Sequence, residues 1–173
     1  PTFERHQPGH VTVLDSRAPQ VVAGGEAVLL PAPIQRRNEL GDPTSHFDSD
    51  LGREEAPGAI RVGVAHGGVV DFDGGEASSR IDPGRVESAE LDYLALGVWH
   101  GKKQVRKRVW YSGTPEPDSF KQNGPGHVLG VEIEKLGAEP VVEPVETAQT
   151  RWIRKEVGIR REEDLEAFRG WFE

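Results

Sequence analysis

The chain contains no cysteine and no methionine. Without cysteine there are no disulfides and no thiolate metal sites, which leaves His, Asp and Glu as the strong ligands on offer. The lack of methionine predicts that the segment does not begin at a natural start. Gly170-Trp-Phe-Glu173, which stops within a helical pattern, predicts an internal portion of a longer protein. No apolar run approaches the roughly 20 residues that cross a bilayer, and no secretory signal is legible. The expectation is a soluble, cytoplasmic protein without membrane contact. Gly-x-x-x-x-Gly-Lys, Gly-x-Gly-x-x-Gly and Gly-x-Ser-x-Gly are all missing, so neither a nucleotide-cradling loop nor an acyl-transfer elbow is indicated.

What is present is a polar, loop-rich chain. Its 173 residues suffice for one domain, or one domain and a piece of another; 35% are apolar and 29% charged, with 21 glycines and 13 prolines. The net charge of -8 argues against indiscriminate nucleic-acid binding and leaves room for a local basic patch.

Two stretches share one form. Ile60-Arg-Val-Gly-Val-Ala-His66 and Asp92-Tyr-Leu-Ala-Leu-Gly-Val-Trp-His100 each read as a buried strand that delivers an imidazole to a glycine-containing loop. In α/β sheets, ligands collect at the C-terminal ends of strands. Further strands are expected at 10–14, 21–22 with 27–30, 105–111, 128–133 and 149–157, with an edge strand or linker over 138–147. Helices are expected over 83–91 and 162–172, with a boundary near 135–140.

Either histidine alone reads equally as a hydrogen-bonded structural residue. His6, His10, His46 and His127 read as surface residues, and Asp71 and Asp73 as part of a solvated loop. Lys102-Lys-Gln-Val-Arg-Lys-Arg108 places five cations in seven residues directly after His100. It reads as a solvated hairpin or as a phosphate-backbone contact through Lys102, Lys103, Arg106 and Arg108. Trp110 and Tyr111 are candidates for base stacking or for the core.

Val64-Ala-His-Gly-Gly68, Leu91-Asp-Tyr-Leu-Ala-Leu-Gly-Val-Trp-His-Gly101, Val109-Trp-Tyr-Ser-Gly-Thr-Pro-Glu116 and Gly126-His-Val-Leu-Gly-Val-Glu-Ile133 occur in the order seen in calcineurin-like metallophosphoesterases. The branch they resemble most is the nuclease subunit of SbcCD-type DNA double-strand-break repair exonucleases. The resemblance implies an α/β fold: part of a two-sheet sandwich flanked by helices, followed by the start of a small α+β cap. Residues 1–136 correspond to the C-terminal half of the phosphoesterase domain and 137–173 to the start of the cap. It further implies a two-manganese site that activates water against a phosphodiester, with His66 and His100 as metal ligands. The implied partners are DNA, an SMC-like ATPase subunit and a second copy of the chain.

Two departures stand out. Val98 occupies the position where the family carries its first coordinating residue of the second histidine motif, and an isopropyl group binds no metal. None of the family's Asp-x-His, Gly-Asp and Gly-Asn-His motifs is read upstream of His66, so the chain alone is expected to carry only part of the site. Besides DNA hydrolysis, a small-molecule or nucleotide phosphodiesterase and a non-hydrolytic DNA- or partner-binding scaffold are the alternatives.

Overall fold

The computed structural model describes residues 7–34, 41–48, 50–69, 80–120 and 124–171. The fold is mixed α/β, rich in sheet and poor in helix. Its centre is a six-stranded sheet in the order β1-β2-β3-β6-β8-β7, with β1 at Gln20–Val22, β2 at Ala27–Ala32, β3 at Ile60–His66, β6 at Tyr93–Gly97, β7 at Lys103–Arg106 and β8 at Val109–Tyr111. The strands β2, β3, β6 and β8 run parallel, and β1 and β7 close the two edges antiparallel. Two-stranded ribbons join β4 (Gly68–Val69) to β5 (Arg80–Ile81) and β9 (His127–Glu132) to β10 (Val141–Glu146). Among the described residues, helix is limited to 3-10 turns at Ala23–Gly25 and Ser45–Asp48, one turn of α1 at Arg85–Ser88, and α2 at Glu162–Arg169. No helix among the described residues is long and apolar enough to cross a membrane.

One face of the sheet packs against the Ser45–Asp48 turn and α1. That face is the core. Register aligns Val28 with Arg61, Leu30 with Gly63 and Leu94, and Ala32 with Ala65, Leu96 and Tyr111. All of these residues are buried, and Phe47, Ile81, Val86 and Leu91 complete the same cluster. Gly63 has no side chain because Leu94, Leu91 and Phe47 already fill the space: a Cβ there would come within 2.8–3.0 Å of each. The opposite face carries Leu29, Val62, Val64 and Ala95, apolar and half-buried, beside the buried Pro31 and Tyr93. Parallel sheets are usually covered on both faces.

Pro31 shows how β2 tolerates a residue with no N–H. Its carbonyl meets Nε2 of His46 at 3.0 Å, so its outward side faces away from β3. The pairing with β1 has already ended at Leu29, and no ladder donor is lost. His46, expected on the surface, is therefore half-buried, with its ring 4.6 Å from that of Phe47.

Several sequence expectations need correction. Residues 10–14 form no strand, because β1 occupies the place beside β2. The 83–91 helix shrinks to one turn; Glu90 takes φ +50°, which ends it. Residues 149–157 form no strand. The 105–111 strand is instead two strands, β7 and β8, turning at Lys107-Arg108. His6, Asp71 and Asp73 lie outside the described residues.

The β9–β10 ribbon is exposed on both faces and is held by specific bonds. The Asp92 carboxylate accepts N–H groups from Arg61 (2.8 Å) and Gly137 (2.6 Å), which fastens the ribbon's connecting turn to the sheet. The Glu116 carboxylate accepts the amides of Gln149 (2.7 Å) and Thr150 (3.1 Å), and the Trp152 indole donates to the Pro117 carbonyl (2.8 Å).

Candidate functional site

His66 ends β3 and pairs in register with Gly97, the last residue of β6. The glycine leaves room for the ring: a Cβ at position 97 would sit 2.7 Å from Nδ1 of His66, and the imidazole would have to turn aside. Both residues line a shallow cavity of about 350 Å³ with Pro31, Ala95, Ser112 and Leu14. It opens at the C-terminal edge of the four parallel strands, the expected position for a ligand site. The Tyr111 hydroxyl fixes the loop beyond His66 by donating to the Gly67 carbonyl (2.8 Å) and accepting from the Val69 amide (3.0 Å). Tyr111 is thus core, not a base-stacking surface, and burial raises its phenol pKa despite the Val69 hydrogen bond. Trp110 is half-buried, with its indole donating to the Lys107 carbonyl at 3.2 Å.

His100 lies on the loop that follows β6, outside the lining of the His66 cavity. Its carbonyl accepts both the amide (2.9 Å) and the hydroxyl (3.2 Å) of Thr114. Gly113 makes this approach feasible: it takes φ +79°, and a Cβ there would meet the His100 carbonyl oxygen at 2.8 Å. The His100 ring is oriented by Asp118, whose Oδ2 is 2.6 Å from Nδ1. A carboxylate only accepts, so Nδ1 carries the proton and a neutral ring keeps its free lone pair on Nε2. This is how metal-ligating histidines are commonly held. Sequence reasoning missed Asp118, because nothing in Pro115-Glu-Pro-Asp118 announces a partner eighteen positions upstream.

Val98 sits between these two groups in the chain. It has φ +101° and is 46% exposed. This backbone conformation suits glycine, and the isopropyl group faces solvent rather than a ligand.

The basic run is divided between the two ends of the edge strand β7. Lys103 pairs with Tyr111 at the end of β7 nearest His100, and its ammonium lies 5.6 Å from the Trp99 ring centroid. Lys102 lies beside it. Arg106 pairs with Val109 at the other end of β7 and is bound to Glu87 at 3.0 Å. Arg108 donates to the Gly137 carbonyl at 2.6 Å. Lys102 and Lys103 accompany His100, whereas Arg106 and Arg108 belong to the opposite end.

Among the described residues, no three of His, Asp and Glu converge to hold a metal ion. His66, His100 and Asp118 supply separate donors, fewer than two manganese ions require. A Gly-Asp pair does occur upstream, at Gly41-Asp42, where sequence reasoning passed over it. Its carboxylate is engaged by Thr44 Oγ1 (2.6 Å) and Arg85 (2.9 Å). Burial works to raise the Asp42 pKa, and the hydrogen bonds from Thr44 and Arg85 outweigh it, leaving the net shift downward. Asp42 is therefore an anchor between the Ser45–Asp48 turn and α1.

No protein-family model matches the chain, and a search of curated proteins returned no match.

Proposed function

We propose that the chain is part of a metal-dependent phosphodiesterase acting on DNA, of the repair-exonuclease kind. It would contribute His66 and His100 to a manganese site whose other ligands lie beyond the described residues. The observation that carries this reading is the pairing of β3 with β6. Neighbouring parallel strands end in register at His66 and Gly97, and His100 follows three residues later with Asp118 orienting its ring. The half-open apolar face of Leu29, Val62, Val64 and Ala95 supports a two-sheet sandwich, in which a second sheet would cover it. Residues from 137 onward would begin a cap, and Lys102 and Lys103 would contact the DNA backbone. An SMC-like ATPase subunit and a second copy of the chain are the expected partners.

Hydrolysis of bis-p-nitrophenyl phosphate and of linear DNA in manganese tests the reading on the full native chain. Asp118→Asn should weaken metal binding roughly 10- to 100-fold, and His66→Ala with His100→Ala should abolish turnover. Unchanged turnover in the double variant would overturn the assignment.

Val98 favours a second reading, a scaffold that binds DNA without cutting it, because a solvent-facing isopropyl stands where a ligand is expected. Retained DNA binding with no bound manganese would select it.

A further inference from the structure

A second cavity lies at the other end of the parallel strands, where they begin. From Arg61 to His66 is five residues of β3, about 16 Å along an extended strand. The cavity encloses about 820 Å³, within the range of small-molecule sites. Arg53, Arg61, Arg106, Lys107 and Arg108 line it, against Glu87, Glu90 and Asp92. Five cations thus converge on one recess of a chain whose net charge is -8.

The way these charges are met separates them into two groups. Arg53 is bound to Glu90, Arg106 to Glu87, and Lys107 to Glu139. Arg61 and Arg108 donate to main-chain carbonyls instead: Arg61 to Leu51 (2.7 Å) and Ala89 (3.2 Å), Arg108 to Gly137 (2.6 Å). Carbonyl dipoles solvate a guanidinium without cancelling its charge. Asp92 does not take up the side chain of Arg61; its carboxylate oxygens accept the backbone amides of Arg61 and Gly137.

Arg61 is the informative residue. It lies on the core face of β3, is 2% exposed, and its Nε has no hydrogen-bond partner. Burying a guanidinium is costly, and an apolar residue of similar volume generally serves stability as well or better. A buried arginine whose guanidinium is hydrogen-bonded to main-chain carbonyls, at the wall of a cationic cavity, is better explained by an anion that shares its charge. Val86 and the half-exposed Leu136 supply apolar surface beside the cations, and guanidinium planes stack on flat rings.

We propose that this cavity binds a small organic phosphate with a flat apolar body, the chemistry of a nucleoside monophosphate. The phosphate would lie between Arg61 and Arg108, and the ring would rest on Leu136 and Val86. The site does not depend on the hydrolytic reading and uses neither His66 nor His100.

Calorimetric titration of the full chain with AMP, inorganic phosphate and adenosine tests the assignment, with amide chemical shifts locating the bound molecule. AMP should bind at least tenfold more tightly than phosphate or adenosine and should shift the amides of Leu136 and Gly137. Arg108→Gln should weaken AMP at least tenfold. Leu136→Ser should weaken AMP and leave the weak phosphate binding unchanged. Arg61→Gln should also abolish binding, but its buried position threatens folding, so Arg108→Gln is the deciding variant. Absence of AMP binding at millimolar concentration, affinity untouched by Arg108→Gln, or shifts centred on His66 and Gly97 would each overturn the proposal.

Discussion

Gly97 faces His66 across the β3–β6 ladder, and its missing side chain leaves room for the imidazole: a Cβ there would come within 2.7 Å of Nδ1. Gly97→Ala should therefore displace a ring that is free to rotate, at a stability cost of about 1 kcal/mol or less. The His66 ring resonances should shift clearly while the melting temperature changes little. Unmoved His66 resonances would show that the glycine serves another purpose.

Val98 holds a β-branched side chain at φ +101° with the side chain in solvent. A conformation of this kind costs on the order of 1–3 kcal/mol. Val98→Gly should stabilise the fold by roughly 1 kcal/mol, because glycine's greater unfolded-state entropy cancels part of the relief. Chemical denaturation measures this directly. A lower midpoint would mean that the isopropyl group makes contacts worth more than the strain.

Tyr111→Phe removes one hydroxyl that serves both Gly67 and Val69. A buried amide and a buried carbonyl lose their partner, so the loss should be about 1–3 kcal/mol. Faster hydrogen exchange at Val69 should accompany it, and protection equal to that of the parent would contradict this.

Stability should decline in acid in two stages. Burial lowers the His46 pKa from its ordinary 6.5, against the opposing effect of the Pro31 carbonyl. Burial tends to raise the Asp42 pKa, but hydrogen bonds from Thr44 and Arg85 bring it below its ordinary 3.8. In both cases the unfolded chain binds the proton more readily, so stability falls as pH drops. The His46 contribution is complete above pH 6.5 and is lost toward its lower folded value; that of Asp42 disappears below pH 3.8. His46→Gln should remove the first stage and Asp42→Asn the second, as read from denaturation midpoints across pH.

The strands carrying His66 and His100 were legible because each is an apolar run closed by glycine, and burial on one side of the sheet enforces that pattern. The edges were less legible. Residues 10–14 and 149–157 have strand-like alternation, but a strand also needs a free neighbouring edge, and β1 takes the one beside β2. The contacts that define the site, Asp118 on His100 and Tyr111 on the loop after His66, are side-chain bonds across loops with no periodic signature. The division of the Lys102–Arg108 run was equally hidden: it follows from the hairpin turn at Lys107-Arg108, which carries one end of a continuous basic segment away from the other.

The central claim is that His66 and His100 belong to a metal centre. Manganese binding to the full native chain, followed by calorimetry, tests it most directly, with His66→Ala and His100→Ala as controls. The account predicts tight binding that either substitution weakens at least tenfold. Manganese affinity identical in the parent and both variants, or no binding at all, would contradict it.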